Sequence, residues 1–389
     1  PATVYVDAAA SPGGDGSEST PFNTIQAALD AAADDAVIEL ADGTYTNAAD
    51  RDLDYAGKAV LIRSTNGAAN CVIDCQGAAR GVTFDNGEGP RSALSGVTIK
   101  NGSEFWGGGV YAYQASPTLS NMKIESNTAT YGGGGIYLAS ADRPRIQNCR
   151  ISGNTVETYG GGGLYVSGTQ PHIEATAVQG NSAAGNGGGL YLSSSADAKL
   201  YNTTVAANTA GGSGGGIYSY GSSPTIHNSI VWGNSGTAIV TGGSGSPAVT
   251  YSTVQGGYTG TGNLSSDPKL TRISCRLTIN SPAIDAGSTN NAVSTDGDSE
   301  AAWDYSGRTN VVSTVDMGSD EYVDTDEDGI PDVWETLYFG GATNGNALLD
   351  SDSDGLTNLY EYANDTDPVG DPVDTDGDTL SDDLEMWIG

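Results

Sequence analysis

Gly107-Gly108-Gly109-Val110-Tyr111 recurs as Gly133-Gly134-Gly135-Ile136-Tyr137, Gly161-Gly162-Gly163-Leu164-Tyr165, Gly187-Gly188-Gly189-Leu190-Tyr191 and Gly214-Gly215-Gly216-Ile217-Tyr218. The steps between copies are 26, 28, 26 and 27 residues. A second marker keeps the same period: an aliphatic residue followed three positions later by asparagine, at Ile124/Asn127, Ile151/Asn154, Val178/Asn181, Val205/Asn208 and Val231/Asn234. A third is a proline ahead of a strand-like stretch, at Pro117, Pro144, Pro171 and Pro224, with Ala198 in place of one. Markers sharing one period of about 27 residues identify a solenoid, whose repeats bury their apolar faces only against each other.

Each repeat reads as a glycine-rich corner, a short strand (Ile136-Tyr137-Leu138), a turn, a second strand (Arg145-Ile146-Gln147) and an asparagine turn. Side chains alternate across a strand. Stacked coils then place Val110, Ile136, Leu164, Leu190 and Ile217 in one interior column, and Ile124, Ile151, Val178, Val205 and Val231 in another. The pattern is that of an all-β, right-handed parallel β-helix. Two asparagine columns fit it: Asn121, Asn148, Asn202 and Asn228, broken by Ala175, and the unbroken series Asn127 to Asn234. Asparagine tolerates a left-handed backbone and bonds locally or to the next coil. The second series also reads as glycosylation sequons, each followed by x-Thr or x-Ser. Recurrence at one turn favours the structural reading.

Composition divides the chain. Its 389 residues carry 48 acids and 15 bases, a formal charge of −33. Residues 1–91 hold 14 acids and 5 bases, residues 92–266 six of each, residues 267–323 nine and four, and residues 324–389 hold 19 acids and no base. Such a charge argues against nucleic-acid binding, which needs a basic face. No uncharged apolar run approaches the length that spans a bilayer. The expected organisation is an N-terminal strand and cap helix in 1–35, a β-helix in 36–266, a closing segment in 267–323 and metal-binding repeats in 324–389. The cap helix is expected over 24–32, where Ile25, Ala28, Leu29 and Ala32 share one face. Cys71, Cys75, Cys149 and Cys275 read as small buried residues. The start at Pro1 without Met or an apolar leader fits a mature secreted chain.

The stretch Pro21-Phe22-Asn23-Thr24-Ile25-Gln26-Ala27-Ala28, with Asp42-Gly43-Thr44-Tyr45, resembles the opening of secreted bacterial proteins of the pectate-lyase-like β-helix superfamily. The Gly-Gly-Gly-Ile and Ile-x-x-Asn pair is similar to the repeat of chlamydial polymorphic outer-membrane adhesins. Ser281–Gly287, Asp304-Tyr305-Ser306-Gly307-Arg308 and Val315–Tyr322 resemble the choice-of-anchor Q segment that follows such helices in surface proteins. These resemblances imply an extracellular or cell-surface protein and do not by themselves imply catalysis.

The acidic end has a frame of its own. Asp324, Asp326, Asp328, Ile330, Asp332 and Glu335 occupy positions 1, 3, 5, 7, 9 and 12 of a loop with Gly329 at position 6. Calcium takes six to eight oxygens, and this spacing wraps them round one ion, with a backbone carbonyl from position 7 and both oxygens of the glutamate. Asp350, Asp352, Asp354, Leu356, Asn358 and Glu361 repeat the frame around Gly355. Asp374, Asp376, Asp378, Leu380, Asp382 and Glu385 repeat it with the glycine displaced to 377. About three Ca2+ ions are expected, with short helices after the first two loops. The loops resemble thrombospondin type 3 and dockerin-like repeats. The third frame stops at Gly389 where the second ran on through Pro368, which predicts a longer natural chain.

A catalytic β-helix needs paired carboxylates, or a metal cluster beside a base, on one face. The regular coils hold only Glu104, Glu125, Asp142, Glu157, Glu174 and Asp197, at differing repeat positions. His172 and His227 read as surface residues. In the early coils Asp74, Arg80, Asp85 and Arg91 have the chemistry to form a site if they converge. The column Tyr111, Tyr137, Tyr165, Tyr191 and Tyr218 points outward, as a stabilising ladder or as a sugar-stacking face, with one side of the rings left uncovered by glycine. The expectation is a non-catalytic structural or adhesive protein: a rigid rod with a calcium-stiffened connector. Its expected partners are other copies of itself, end to end in a filament, or a cell-surface glycan. The rival is a polysaccharide-binding or polysaccharide-degrading protein.

Overall fold

The computed structural model describes residues 2–294, 296 and 312–370. Within them the chain winds as a parallel β-solenoid. A central coil contributes three strands, Ile136–Ala139, Arg145–Gln147 and Arg150–Ser152. The next coil sits directly on it, with Leu164–Ser167 on the first strand and the two halves of His172–Gln179 on the others. The third strand is additional to the two expected. Its boundary with the second is the turn at Asn148, whose φ of +51° lies in the left-handed region. Asn121, Ala175, Asn202 and Asn228 share that conformation, so the first asparagine column exists to turn the backbone.

The interior is three aliphatic columns. One runs Ile38, Ile62, Leu94, Leu119, Ile146, Ile173, Leu200, Ile226 and Val249. The second runs from Tyr45 through Ile99, Ile124, Ile151 and Val178 to Val254, and the third from Leu53 through Val110, Ile136 and Leu190 to Ile239. All these side chains are buried. The glycine triplet follows from the packing at the corner. Gly133 has φ +68°, and a Cβ on Gly134 would stand 2.6 Å from the carbonyl oxygen of Gly162 in the next coil.

The second asparagine series does something different from the first. Asn127, Asn154, Asn181, Asn208 and Asn234 are buried and form a ladder inside the corner. The backbone N–H and Nδ2 of Asn154 both donate to Asn181 Oδ1, at 3.0 and 2.9 Å, and Nδ2 also donates to the Ile124 carbonyl at 2.8 Å. Its own Oδ1 accepts both groups of Asn127. A buried amide committed in this way takes no glycan, so the sequon reading falls.

The chain itself seals the N-terminal end of the stack and part of the C-terminal end, where the last strand of one sheet, Ile239–Gly242, pairs only with the coil before it. The first strand, Thr3–Val6, pairs with Val37–Leu40, and its outer edge bonds to residues 16–22. The helix Ile25–Ala31 lies beside it and buries Ile25, Ala28 and Leu29, as its spacing required. The carboxylate of buried Asp50 accepts the Ile25 N–H at 2.8 Å. At the far end Tyr251 N–H and Val254 N–H donate to Thr261 and Leu264. Edges closed in this way do not invite strand pairing with another copy.

The described residues beyond 267 do not extend the stack. They fold back along its flank, against the turn of the first asparagine column. Asn228 exchanges bonds with Ser288 (2.8 Å each way), Asn202 Nδ2 donates to the Asp316 carbonyl, and Ser319 N–H donates to Thr204 Oγ1 at 3.0 Å. His227, expected at the surface, is instead buried under this segment between Thr250 Oγ1 (2.8 Å) and the Asn290 carbonyl (2.6 Å). Burial lowers its pKa. His172 stays half-exposed, 3.5 Å from Glu174. A second apolar core joins Ile230 of the solenoid to Leu277, Ile284, Met317, Tyr322, Ile330, Trp334 and Tyr362. All four cysteines are buried free thiols, and burial pushes those of Cys71, Cys75 and Cys149 up to about 12. The Asp304–Arg308 motif lies outside the described residues.

The two asparagine columns are expected to respond oppositely to substitution. N181A leaves buried donors and acceptors without partners and should cost about 2–4 kcal/mol. N121G keeps a left-handed turn that glycine also favours and should change stability by less than about 1 kcal/mol. Urea unfolding of the two variants checks this, and equal effects would reject the distinction.

Candidate functional site

The first acidic frame brings its three leading aspartates together. Oxygens of Asp324, Asp326 and Asp328 all lie within 4.8 Å of one another. Gly329 makes the sharp turn at φ +104°, and its N–H donates to Asp324 Oδ2 at 2.9 Å. The helix Asp332–Phe339 starts inside the loop, so Glu335 at position 12 is carried back toward the aspartates. Asp332, at position 9, accepts the Thr325 N–H at 2.7 Å and the Thr325 hydroxyl. The second frame repeats the arrangement. Oxygens of Asp350, Asp352 and Asp354 also lie within 4.8 Å of one another, Gly355 has φ +99°, and Asn358–Asn364 forms the following helix.

The test of fit is what the buried oxygens bond to. Asp324 Oδ1, Glu335 Oε2, Asn358 Oδ1 and both carboxylate oxygens of Glu361 are buried without a hydrogen-bond partner. A fully buried carboxylate with no donor is costly, and a divalent cation removes that cost. Burial, reinforced by the neighbouring aspartates, pushes Glu335 up to about 7 and Glu361 up to about 8. Hard oxygen ligands at this spacing suit Ca2+. Ile330 and Leu356 stand at the carbonyl-donor positions of the two loops. The third frame, Asp374, Asp376, Asp378, Leu380, Asp382 and Glu385, lies outside the described residues.

The tyrosine column stacks in register. Ring centroids of Tyr111, Tyr137, Tyr165, Tyr191 and Tyr218 are 5.2, 5.4, 5.0 and 5.3 Å apart, the first three pairs within 14° of parallel. It is only in part the uncovered face expected: Tyr165 and Tyr191 are covered, while Tyr111, Tyr137 and Tyr218 stay partly exposed. A five-stranded ribbon runs Ser103–Trp106, Thr128–Gly132, Thr155–Val156, Ser182–Ala183 and Thr209–Ala210 between the asparagine ladder and the glycine corner. It carries a second row of rings. Trp106 lies 4.7 Å from Tyr137 and 5.3 Å from Tyr165, while Tyr159 lies 5.2 Å from Tyr191 with their hydroxyls 2.8 Å apart. Tyr165 and Tyr191 are therefore 9% and 4% exposed. Their sequence signal is weak because the ribbon is the part of the repeat that varies in length.

The N-terminal end of this aromatic spine opens to solvent. There Phe105, 53% exposed, stacks on Tyr131 at 5.5 Å and borders a cleft of about 320 Å3. Asp52, Arg80, Thr83, Asp85, Trp106 and Tyr111 complete its lining. Arg80 sits over the Tyr111 ring at 4.6 Å, a cation–π contact, and lies 3.6 Å from Asp52 and 3.5 Å from Glu104. Thr83 Oγ1 donates to Asp52 at 2.9 Å. Of the four early-coil residues considered from sequence, Arg80 and Asp85 meet here. Asp74 pairs with Lys100 at 3.8 Å, and Arg91 pairs with Asp35, both away from the cleft.

Residues 66–256 match the family described as right handed beta helix region. No curated protein matches the chain. Among solved structures it is similar to pectate lyase Pel9A, with 18% identity over 82% of this chain and 96% of that one and a TM-score of 0.44. The pectin methylesterase from Aspergillus niger is 14% identical over 68% of this chain and 86% of that one, at a TM-score of 0.34. A rhamnogalacturonan lyase is 10% identical over 65% and 87%, at 0.30. These likenesses concern how the chain winds. No helix among the described residues is long and apolar enough to cross a membrane.

Ligand carboxylates must be ionised to hold calcium. Calcium affinity is therefore expected to fall as pH drops from about 8 to about 5.5, because Glu335 and Glu361 take up protons in that window. In the metal-free protein the sign reverses. Groups whose folded pKa is raised favour the folded state at low pH and lose that contribution as pH rises through about 7 to 8. Calorimetric titration with CaCl2 across this range checks the first, and chelator-treated protein melted across the same range checks the second.

Proposed function

We propose that the chain is a non-catalytic, extracellular adhesive protein that binds polysaccharide at the open end of its aromatic spine and uses calcium to brace its C-terminal segment. The observation that carries the reading is the cleft where Phe105, Trp106 and Tyr111 meet Arg80, Asp52 and Asp85. Sugar rings present apolar faces edged by hydroxyls, and flat aromatics flanked by a few polar groups suit them. Three carboxylates, Asp52, Asp85 and Glu104, stand against one guanidinium. That balance favours a neutral glycan over a uronic-acid polymer.

Hydrolysis has less support. A glycosidase holds two carboxylates apart with room for the scissile bond and a nucleophile or water. Here Arg80 fills the gap between Asp52 and Glu104 and pairs with both. End-to-end assembly has less support at the N-terminal end, where the first coil spends its edge hydrogen bonds on the chain itself, than at the far end, where Ile239–Gly242 pairs only with the coil before it among the described residues. The calcium loops lie along the flank, so they support bracing of the rod more directly than extension of it. The resemblance to surface-protein segments and to calcium repeats of extracellular proteins supports the localisation.

Binding to an array of neutral and acidic polysaccharides tests the proposal. The expected result is retention of a neutral glycan with no product released. F105A should weaken it at least about tenfold, the loss of one aromatic contact in a desolvated site, without changing thermal stability. Release of oligosaccharide or unsaturated product would replace adhesion with catalysis, and an absence of binding to every glycan would reject the reading.

A further inference from the structure

A second cleft lies elsewhere, between the flank of the solenoid and the first calcium-loop helix. Its volume is about 670 Å3, within the range of small-molecule sites. Its solenoid wall carries Lys123 and Arg150, and its opposite wall carries Trp334 and Tyr338. Lys123 and Arg150 are direct neighbours in register, one coil apart. Like charges placed opposite each other in a sheet repel. Neither forms an ion pair with a carboxylate among the described residues. Among the described residues, two cations side by side without a paired acid leave room for an anion.

The acids that do line the cleft are otherwise engaged. Asp365 accepts the backbone N–H groups of Ile273 and Ser274 at 2.6 and 2.9 Å. Asp320 accepts the Leu277 N–H at 3.1 Å and lies 4.0 Å from Arg276. Across from the cations, the Trp334 and Tyr338 rings lie 4.9 Å apart and offer an apolar wall.

That wall belongs to the calcium loop. Asp332 and Glu335, at loop positions 9 and 12, lie on the same helix as Trp334 and Tyr338. Residues three and four apart share a helix face, so Asp332 with Glu335 and Trp334 with Tyr338 form two neighbouring faces. An ion that fixes Glu335 therefore also fixes the orientation of the rings. We infer that this cleft is a calcium-dependent binding site for a small ring-bearing carboxylate, whose anionic group lies between Lys123 and Arg150 and whose ring lies against Trp334 and Tyr338. The site is separate from the Phe105 cleft and does not depend on the glycan reading.

Calorimetric titration of the full chain in calcium with cyclohexanecarboxylate, glucuronate and inorganic sulfate tests it. At least one ring carboxylate is expected to bind saturably at one site and more tightly than sulfate; which of the two binds better tells a plain ring acid from an acidic sugar. K123A/R150A should weaken binding at least tenfold while F105A leaves it unchanged. Chelation of calcium should abolish it, with the solenoid's circular dichroism retained. Sulfate binding as tightly as both carboxylates, binding indifferent to K123A/R150A, binding that survives chelation, or no saturable binding of any probe would each overturn the proposal. Y338A supplies a second variant: with the cations intact it should weaken the ring acids and leave sulfate unaffected.

Discussion

The asparagine ladder is the constraint on which the rest of this molecule depends. A strand pair fixes spacing between coils, but a parallel stack can still slip in register along the strands. The ladder removes that freedom at the corner. Each amide accepts from the preceding asparagine and donates to the next, and also donates to a backbone carbonyl of the preceding coil. A slip of one residue would leave every buried amide in the series without partners at once. The aliphatic columns gain more from burial, but Ile, Leu and Val exchange neighbours with little loss. The register therefore rests on the polar series, and the tyrosine column stacks ring on ring because the asparagines already align the coils.

Sequence periodicity carried most of this. Every marker that repeats did so because one structural position recurs: the glycine triplet at a corner with no room for a Cβ, the aliphatics in three columns, the asparagines at two turns. What escaped was what does not repeat. Ala175 adopts the left-handed turn of its asparagine neighbours, which residue identity alone could not show. The ribbon carrying Trp106, Tyr131 and Tyr159 occupies the variable part of the coil, so its rings form a row in space but no regular series in the chain. His227 lies in an ordinary strand, and its burial comes from a segment about 60 residues later.

The metal frames were legible for a different reason. Calcium fixes the order and spacing of its ligands along one short loop, so local sequence determines the site. The position of the loops on the molecule was not local information. It is set by contacts such as Asp365 to Ser274 and Tyr362 to Leu277, and by an apolar core shared with Ile230. The Phe105 cleft and the flank cleft are likewise products of tertiary placement. Their residues come from segments scattered along the chain and read as ordinary surface until the coils are wound.

The returning segment changes how such a rod would carry load. It bonds to Gln179, to Asn202 and Thr204, and to Asn228, which belong to three successive coils. A pull applied through the acidic end would therefore enter the stack from the side, spread over several coils, and would not peel the last coil from its neighbour. Peeling breaks hydrogen bonds one after another, whereas a distributed lateral load must strain many together. Tethered by its C-terminal side against flow, the molecule would yield first at the metal loops and keep its solenoid wound. Calcium would then act as an adjustable fuse between an anchor and a stiff shaft.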